Sequence, residues 1–294
     1  MAIPDLITIG DRINPGFKST KRMIENEDID ALQALAVRQV DSGADYIDLT
    51  IGPRGYNDAD FLTEVITALQ TAINVPLCFD YPSAAVQEVC LKAYDPAKAN
   101  GRKPLVNSLA ETRMEIFDLL EIQPFQVIVM TSEYVLDGAP KGAKHTEDVV
   151  GVAQRLGRKL MREHGFTPDD IFVDVTINSL VSDTEGLTGM ALNAISEIRR
   201  DPDLKDVHIV GGLTNVGNML PPKEYDGIRL RHMMESAFLT VAIPLGFDTV
   251  MGTPWNKFQI LPDDHAVLVA FKEVTALKGL PAMRALRKLW SNAS

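Results

Sequence analysis

Three aspartates each interrupt an apolar run: Asp48 in Tyr-Ile-Asp-Leu, Asp80 in Cys-Phe-Asp-Tyr and Asp174 in Phe-Val-Asp-Val. A carboxylate set among residues bound for the interior demands a partner, because burying it unpaired is costly. Amide, hydroxyl and acid side chains follow other apolar runs in the same way: Asp11 and Asn14, then Asn107, Thr131, Asn215, and finally Thr253 and Asn256. Any one of them could open a loop or cap a helix, as Ser83 and Thr112 are placed to do, since these residue types favour such positions. The whole set, recurring at the ends of successive apolar runs, is poorly explained that way. Acids and amides together offer acceptors plus a group that both donates and accepts, which complements a planar heterocycle with N–H, NH2 and C=O along its edge. A carboxylate facing an N–H beside an NH2 accepts two bonds at once, each worth about 1.5–3 kcal/mol. A pterin or purine-like ring would satisfy the set.

Other chemistry finds little support. The five histidines, at 145, 164, 208, 232 and 265, show neither H-x-H nor H-E-x-x-H spacing, and Cys78 and Cys90 form no C-x-x-C, so no bound metal is expected. The two thiols read as small buried hydrophobes. Neither G-x-S-x-G nor G-x-x-x-x-G-K-[ST] occurs, which removes the sequence support for a serine hydrolase or a P-loop enzyme.

The elements that must position these groups are legible as eight short apolar, β-branched runs: Leu6 to Gly10, Tyr46 to Ile51, Pro76 to Phe79, Pro104 to Val106, Val127 to Met130, Ile171 to Val175, Val207 to Gly211 and Phe247 to Met251. Segments of helical period lie between them, such as Val149, Val152, Leu156 and Leu160 ending at Gly165. Continuous apolar strands alternating with amphipathic helices imply an α/β protein with a parallel sheet, and eight repeats fit a (β/α)8 TIM barrel in a single domain spanning 1–294. An open doubly wound sheet is the competitor, but G-x-G-x-x-G is missing after the first strand, where the chain reads I-G-D-R-I-N-P-G-F. In a barrel the strand-end polar groups converge on the C-terminal mouth. Thr131 to Thr146 and Thr214 to Tyr225 read as long irregular segments on that side.

The 294 residues are 46% hydrophobic and 23% charged, a globular balance, with 29 Lys and Arg against 40 Asp and Glu. The resulting net charge of −11 would repel a phosphate backbone, so no nucleic-acid partner is expected. No apolar stretch approaches the ~20 residues needed to span a bilayer. The opening Met-Ala-Ile-Pro-Asp carries no basic region or apolar run of a leader, so a cytoplasmic location is expected.

Six motifs then combine. G-D-R-I-N from Gly10, G-A-D-Y-I-D-L-T-I-G-P ending at Pro53, C-F-D around Asp80, V-N-S around Asn107, V-D around Asp174 and G-L-T-N-V-G from Gly212 occur in order between residue 7 and about residue 255. Together they resemble the methyltetrahydrofolate:corrinoid methyltransferases, pterin-binding (β/α)8 barrels related more distantly to dihydropteroate synthases and to the folate domain of methionine synthase. The resemblance implies that Asp80, Asn107 and Asp174 hold the pterin ring, that Asp48 is a further acid of the pocket, and that Asn215 lies near N5, the methyl-carrying atom. It implies catalytic roles for Asn215, as a donor to N5, and for Asp174, within a proton network. Tetrahydrofolate or 5-methyltetrahydrofolate would be the substrate, in a one-carbon or demethylation system.

A cobalamin or other corrinoid would be supplied by a partner protein, because the nearest stretch to a corrinoid-binding D-x-H-x-x-G, Asp263 to Leu268, reads D-D-H-A-V-L without the glycine. That stretch reads instead as a helix start, with Asp263 or Asp264 near the cap and His265 exposed. Homodimers are common in the family, although the apolar face Met233, Ala237, Leu239 to Ile243 could equally be core. Asp11 and Thr50 replace residues that are often Glu and Asn, and a longer segment after Asn215 leaves Arg229 and Arg231 without assigned counterparts. Two other functions fit the same residues. A dihydropteroate-synthase-like condensing enzyme would need a pyrophosphate site drawn from Arg12, Arg54, Lys141, Lys144, Arg229 and Arg231; a noncatalytic folate-binding subunit would bind without transferring.

Overall fold

Eight parallel strands close on themselves: β1 (Ile7–Ile13), β2 (Tyr46–Leu49), β3 (Leu77–Asp80), β4 (Leu105–Leu109), β5 (Gln126–Met130), β6 (Ile171–Asp174), β7 (His208–Gly212) and β8 (Thr249–Gly252). Each pairs with its neighbour in sequence, and β8 pairs with β1, so the (β/α)8 barrel is complete. This computed structural model describes residues 3–256 and 258–291. Met1 and Ala2, on which part of the leader reading rests, and the last three residues of the 1–294 span lie outside the described residues.

The helices form where the period of apolar residues meets a cap. Ile29–Asp41 begins at Asp28, whose carboxylate accepts from the Ala31 N–H at 3.0 Å, and it buries Leu32 and Ala36 against the sheet. Thr146–His164 begins where the Asp148 carboxylate accepts from the Lys144 and His145 N–H groups. It buries Val149, Val152, Leu156 and Leu160 and stops at Gly165, whose φ of +71° suits glycine. The largest body of apolar side chains lies between these helices and the outer face of the barrel, while Ile9, Tyr46, Cys78, Leu105, Ile128, Phe172 and Val210 form a separate cluster inside it.

The N-terminal end of the barrel is plugged. Tyr46 meets Phe172 edge-on at 5.9 Å, His208 stacks on Phe172 at 4.5 Å, and the Arg102 guanidinium covers Tyr46. Access to the interior is therefore from the other end.

The first segment read as irregular carries a hairpin instead; the second is irregular after the 3-10 turn Leu213–Asn215 and enters a hairpin only at its last two residues. Glu133–Leu136 pairs antiparallel with Ala139–Gly142, and Glu224–Tyr225 with Ile228–Arg229. Each turns through Asp-Gly with both residues at positive φ, Asp137-Gly138 and Asp226-Gly227. The Asp-Gly pair between short extended runs was the available signal. The helix Leu230–Ala242 buries Met233, Ala237, Leu239 and Ala242, so the apolar face considered for a dimer contact is core of the chain itself. Among the described residues no helix is long and apolar enough to cross a membrane.

Candidate functional site

Strand side chains alternate between faces. Two residues beyond each member of the interior cluster, the same alternation directs the next side chain inward at the mouth: Asp11 beyond Ile9, Asp48 beyond Tyr46, Asp80 beyond Cys78, Asn107 beyond Leu105, Met130 beyond Ile128, Asp174 beyond Phe172, Gly212 beyond Val210 and Thr253 beyond Met251. The strand ends thus become one ring above an apolar plug, four aspartates, Asn107 and Thr253 broken by Met130 and Gly212. Neighbours within the ring touch. Asn107 Nδ2 donates to Asp80 Oδ1 at 3.1 Å, and Thr253 Oγ1 donates to Asp11 Oδ1 at 3.1 Å.

The four ring-edge residues read from sequence, Asp48, Asp80, Asn107 and Asp174, are brought together. Asp174 Oδ1 accepts from the Thr176 N–H at 2.8 Å, and Thr131, fully buried, donates its hydroxyl to the Asp174 carbonyl. Asp48 is 1% exposed and its Oδ1 has no hydrogen-bond partner. Burial, reinforced by the Asp80 charge, pushes the Asp48 carboxyl well above the ordinary range. Burial also raises Asp80, while Arg113 holds it down. Asp174 is raised to about 6, by burial first and by the Asp80 charge, against the pull of the Thr176 N–H. The cluster combines three buried acids, each with its pKa raised, and an amide that both donates and accepts. A buried acceptor without a partner is rare in proteins, and here Asp48 Oδ1 is one, at the mouth.

Asn215 stands apart from that cluster. It lies in a short 3-10 turn, Leu213–Asn215, directly after β7, is exposed, and accepts from Asn218 Nδ2 at 3.1 Å. Its position is on the rim above the ring.

On the β1 and β8 side, burial raises Asp11 to about 6 despite its bond from Thr253. Beside it the Arg12 guanidinium lies 3.7 Å from the centre of the Phe17 ring, and Trp255 is covered by Arg38 at 3.9 Å. Arg12 and Arg231 each keep a buried Nε without a partner. A hollow of about 380 Å3 opens at the β2 and β3 end, between Thr50, Pro53, Tyr56, Asp80 and Tyr81. Tyr81 shapes it: its hydroxyl accepts from the Ile51 N–H at 2.8 Å, and its ring lies where a Cβ on Gly55 would fall.

Several local readings need correction. Ser83 precedes its helix without a side-chain cap bond, and Thr112 donates to Glu133 of the hairpin rather than capping. His265, not either aspartate, caps the helix Ala266–Thr275: its Nδ1 accepts from the Val267 N–H at 3.2 Å, and the ring is half-buried. Cys78 and Cys90 are both buried thiols, as their strand and helix positions suggested. Among the described residues no group of three or more His, Cys, Asp or Glu is placed to hold a metal ion. Sequence reading passed over Arg113 and Met130. Arg113 sits in a loop where its type carried no signal, and Met130 looks like ordinary core until the barrel alternation places it in the ring.

Comparison with known proteins bears on family and fold. A curated methylcorrinoid:tetrahydrofolate methyltransferase of Eubacterium limosum is 26% identical over 261 residues, covering 86% of each chain. Dihydropteroate synthase from Stenotrophomonas maltophilia superposes with a TM-score of 0.57 at 17% identity, over 100% of this chain and 96% of that one. The Xanthomonas albilineans dihydropteroate synthase in complex with 7,8-dihydropteroate gives 0.55 at 16% identity, over 99% and 96%. These solved structures share the fold. The sequence model described as pterin binding enzyme matches residues 11–251, the stretch that holds every strand-end residue of the ring from Asp11 to Asp174, and the chain belongs to that family.

Proposed function

We propose that the protein is a methyltransferase that moves a methyl group between N5 of tetrahydrofolate and the cobalt of a corrinoid carried by a partner protein. The observation that carries this reading is the cluster of Asp48, Asp80, Asn107 and Asp174 at the barrel mouth, a donor and acceptor set suited to the amino-pyrimidine edge of a pterin, in a chain whose curated relative is named for this transfer. Asp80, Asn107 and Asp174 grip the ring edge, with Asp48 beneath them. Asn215 on the rim is the group proposed to reach N5, and Asp174 the proposed member of a proton network.

The chemistry is a displacement at the methyl carbon. When methyl moves to the folate, the N5 lone pair forms the new bond, cobalt keeps the electron pair of the broken bond, and the N5 proton leaves. The protein contributes position: no side-chain nucleophile is needed, and aligning two bound reactants removes much of the entropic barrier. In the reverse direction N5 leaves as a poor amine, so a hydrogen bond or proton there assists. The open mouth suits a second reactant delivered on another protein.

The test is anaerobic mixing of the protein with tetrahydrofolate and a methylcorrinoid protein, followed by the cobalt absorption change and by chromatography of 5-methyltetrahydrofolate. Folate binding without transfer to or from any methylcorrinoid protein would leave a noncatalytic binding subunit. One observation favours a second reading: the unpartnered Nε atoms of Arg12 and Arg231 are suited to an anion, which a dihydropteroate-synthase-like condensation would require for its pyrophosphate. Formation of dihydropteroate from the pterin pyrophosphate and p-aminobenzoate would establish that reading instead.

A further inference from the structure

Across the mouth from Asp80 and Asn107 stands a set of arginines. Arg12 lies on β1, its guanidinium carbon 3.7 Å from the centre of the Phe17 ring and 5.4 Å from that of Trp255, just beyond β8. Arg38, from the helix Ile29–Asp41, covers Trp255 at 3.9 Å. Arg231 comes from the helix Leu230–Ala242 after β7 and packs against Gly217, where an added Cβ would fall 2.7 Å from its own. Among the described residues none of these three arginines forms an ion pair with a carboxylate. Even Asp11, next to Arg12 in the chain, accepts at Oδ1 from Thr253 instead. An exposed arginine is satisfied by water, but the Nε atoms of Arg12 and Arg231 are shut off from it and have no acceptor. Burial first, and then repulsion from Arg38 and Arg231, hold the Arg12 pKa below its ordinary value against the pull of Asp11. Cations gathered in this way, with donors unspent, call for an anion.

The surroundings and the topology narrow the kind of anion. Phe17 and Trp255 hold the Arg12 guanidinium through their rings, so its planar fork of N–H groups is the part left for a ligand, and a carboxylate matches that fork. The ring-edge residues sit on β2, β3, β4 and β6, and in a closed barrel of eight strands β3 and β4 face β7 and β8. A pterin held at its amino-pyrimidine edge by Asp80 and Asn107 therefore turns its pyrazine side toward β7, β8 and β1. That side carries N5, which Asn215 is proposed to reach, and C6, from which the p-aminobenzoyl-glutamate tail of a folate departs. The tail ends in two carboxylates.

We propose that Arg12 and Arg231 form a carboxylate subsite on the β7, β8 and β1 side of the mouth, which takes the glutamate tail of a folate whose ring edge rests on Asp80 and Asn107. The proposal rests on the folate reading above. It explains why guanidinium groups are packed beside the mouth with no carboxylate of the chain to pair them, and it makes the tail, as well as the ring, a part of what the protein recognises.

The experiment is anaerobic calorimetric titration of three ligands into the wild-type protein and Arg12→Gln: 5-methyltetrahydrofolate, its diamide with both tail carboxylates neutralised, and tail-less 5,6-dimethyltetrahydropterin. In the wild type the diamide should bind about tenfold more weakly than the folate, because charge-assisted hydrogen bonds are lost. In Arg12→Gln that gap should narrow to about threefold or less, while the tail-less pterin binds within about twofold of its wild-type affinity. Equal wild-type affinity for folate and diamide overturns the proposal. So does a loss of the same size for all three ligands in Arg12→Gln, which would leave a structural arginine. Should Arg12→Gln not fold, Arg231→Gln takes its place with the same outcomes. If folate and diamide bind alike while inorganic pyrophosphate binds the wild type and not Arg12→Gln, the arginines serve a diphosphate and the proposal is overturned. Wild-type protein that binds neither the folate nor the tail-less pterin overturns the folate reading as well, whereas pterin binding without any effect of the tail overturns this proposal alone.

Discussion

A carboxylate lifted by burial to about 6 is in the wrong form for its surroundings at neutral pH, and Asp174 is such a group. Between its unfolded value near 3.8 and about 6 the folded protein binds more protons than the unfolded chain, so this group's contribution falls as pH rises through that window. Asp174→Asn should raise the melting temperature of the ligand-free protein at pH 7, by up to about 3 kcal/mol of stability, while weakening folate binding. A lower melting temperature would mean that the charge is compensated in the free protein. Asp80→Ala should cost about 2–4 kcal/mol of folate affinity in calorimetry, since it removes a buried acceptor and leaves ring donors unpaired. Unchanged affinity with an intact fold would move the pocket elsewhere. Asn215 differs from both because it sits on the rim, where the proposed mechanism places it near N5, whose charge changes during transfer. Asn215→Ala should slow methyl transfer at saturating folate by about 10²–10³ while altering folate binding far less. A variant with poor binding and a normal saturated rate would make Asn215 a positioning residue, and Asp174 would be tested next.

The site depends on two kinds of element, rigid strands and shaped loops. The strands set the ring because their alternation repeats around the barrel: the residue above each plug residue is two positions on, and it is polar in all but two of the eight strands, where it is Met130 and Gly212. The loop from Thr50 to Asn57, by contrast, is held by side chains: Arg54 ties its far end to Glu27 and Asp58, and one aromatic braces the part beside the hollow. Tyr81, 1% exposed, accepts from the Ile51 N–H and packs against Gly55, so a single hydroxyl braces the wall of the hollow beside Asp80. Tyr81→Phe keeps the packing but leaves that N–H buried and unpaired, which should cost about 1–3 kcal/mol. Hydrogen exchange should show the loss concentrated at Ile51 and its neighbours. Protection that falls evenly over the whole chain would show that the loop is not separately braced.

At the scale of the whole molecule the two ends of the barrel divide the work, as is usual for this architecture. The mouth collects buried acids whose pKa values are raised, one of them, Asp48, with an unpartnered oxygen, and the base collects paired charges. His208 lies between Asp248 at 3.2 Å and Asp169 at 3.0 Å, tying β7 to the segments before β8 and β6. Burial alone would lower its pKa, but the bonds and charges of Asp248 and Asp169 raise it above the ordinary 6.5. Its contribution to stability is therefore fully present below pH 6.5 and is lost as pH rises through the raised folded value. His208→Gln should lower the melting temperature at pH 6 more than at pH 9. A variant equally destabilised at both would show that stacking on Phe172, rather than charge, is what His208 supplies.

How much of this was legible in the residues themselves follows from what is periodic. The eight runs, the helical period between them, and Asp48, Asp80 and Asp174 set into apolar strands determined a parallel barrel with acids at its mouth, because a strand buried on both faces has little other use for a carboxylate than to meet a ligand. The same periodic logic failed where the chain stops repeating. The Asp-Gly hairpins were passed over, one inside a segment read as irregular and one at the end of the other, His265 was read as exposed although it caps its helix, and Met130 read as core when taken alone. Only the closed barrel decided that Asp80 and Asn107 share a hydrogen bond, that Asp48 sits deepest and without a partner for Oδ1, and that Arg113 reaches across from its loop to Met130 on β5. Those are facts of register and of distance between segments remote in the chain. Local propensity and side-chain period act over a few residues, whereas a pocket assembled from the ends of eight strands exists only once the first strand has paired with the last.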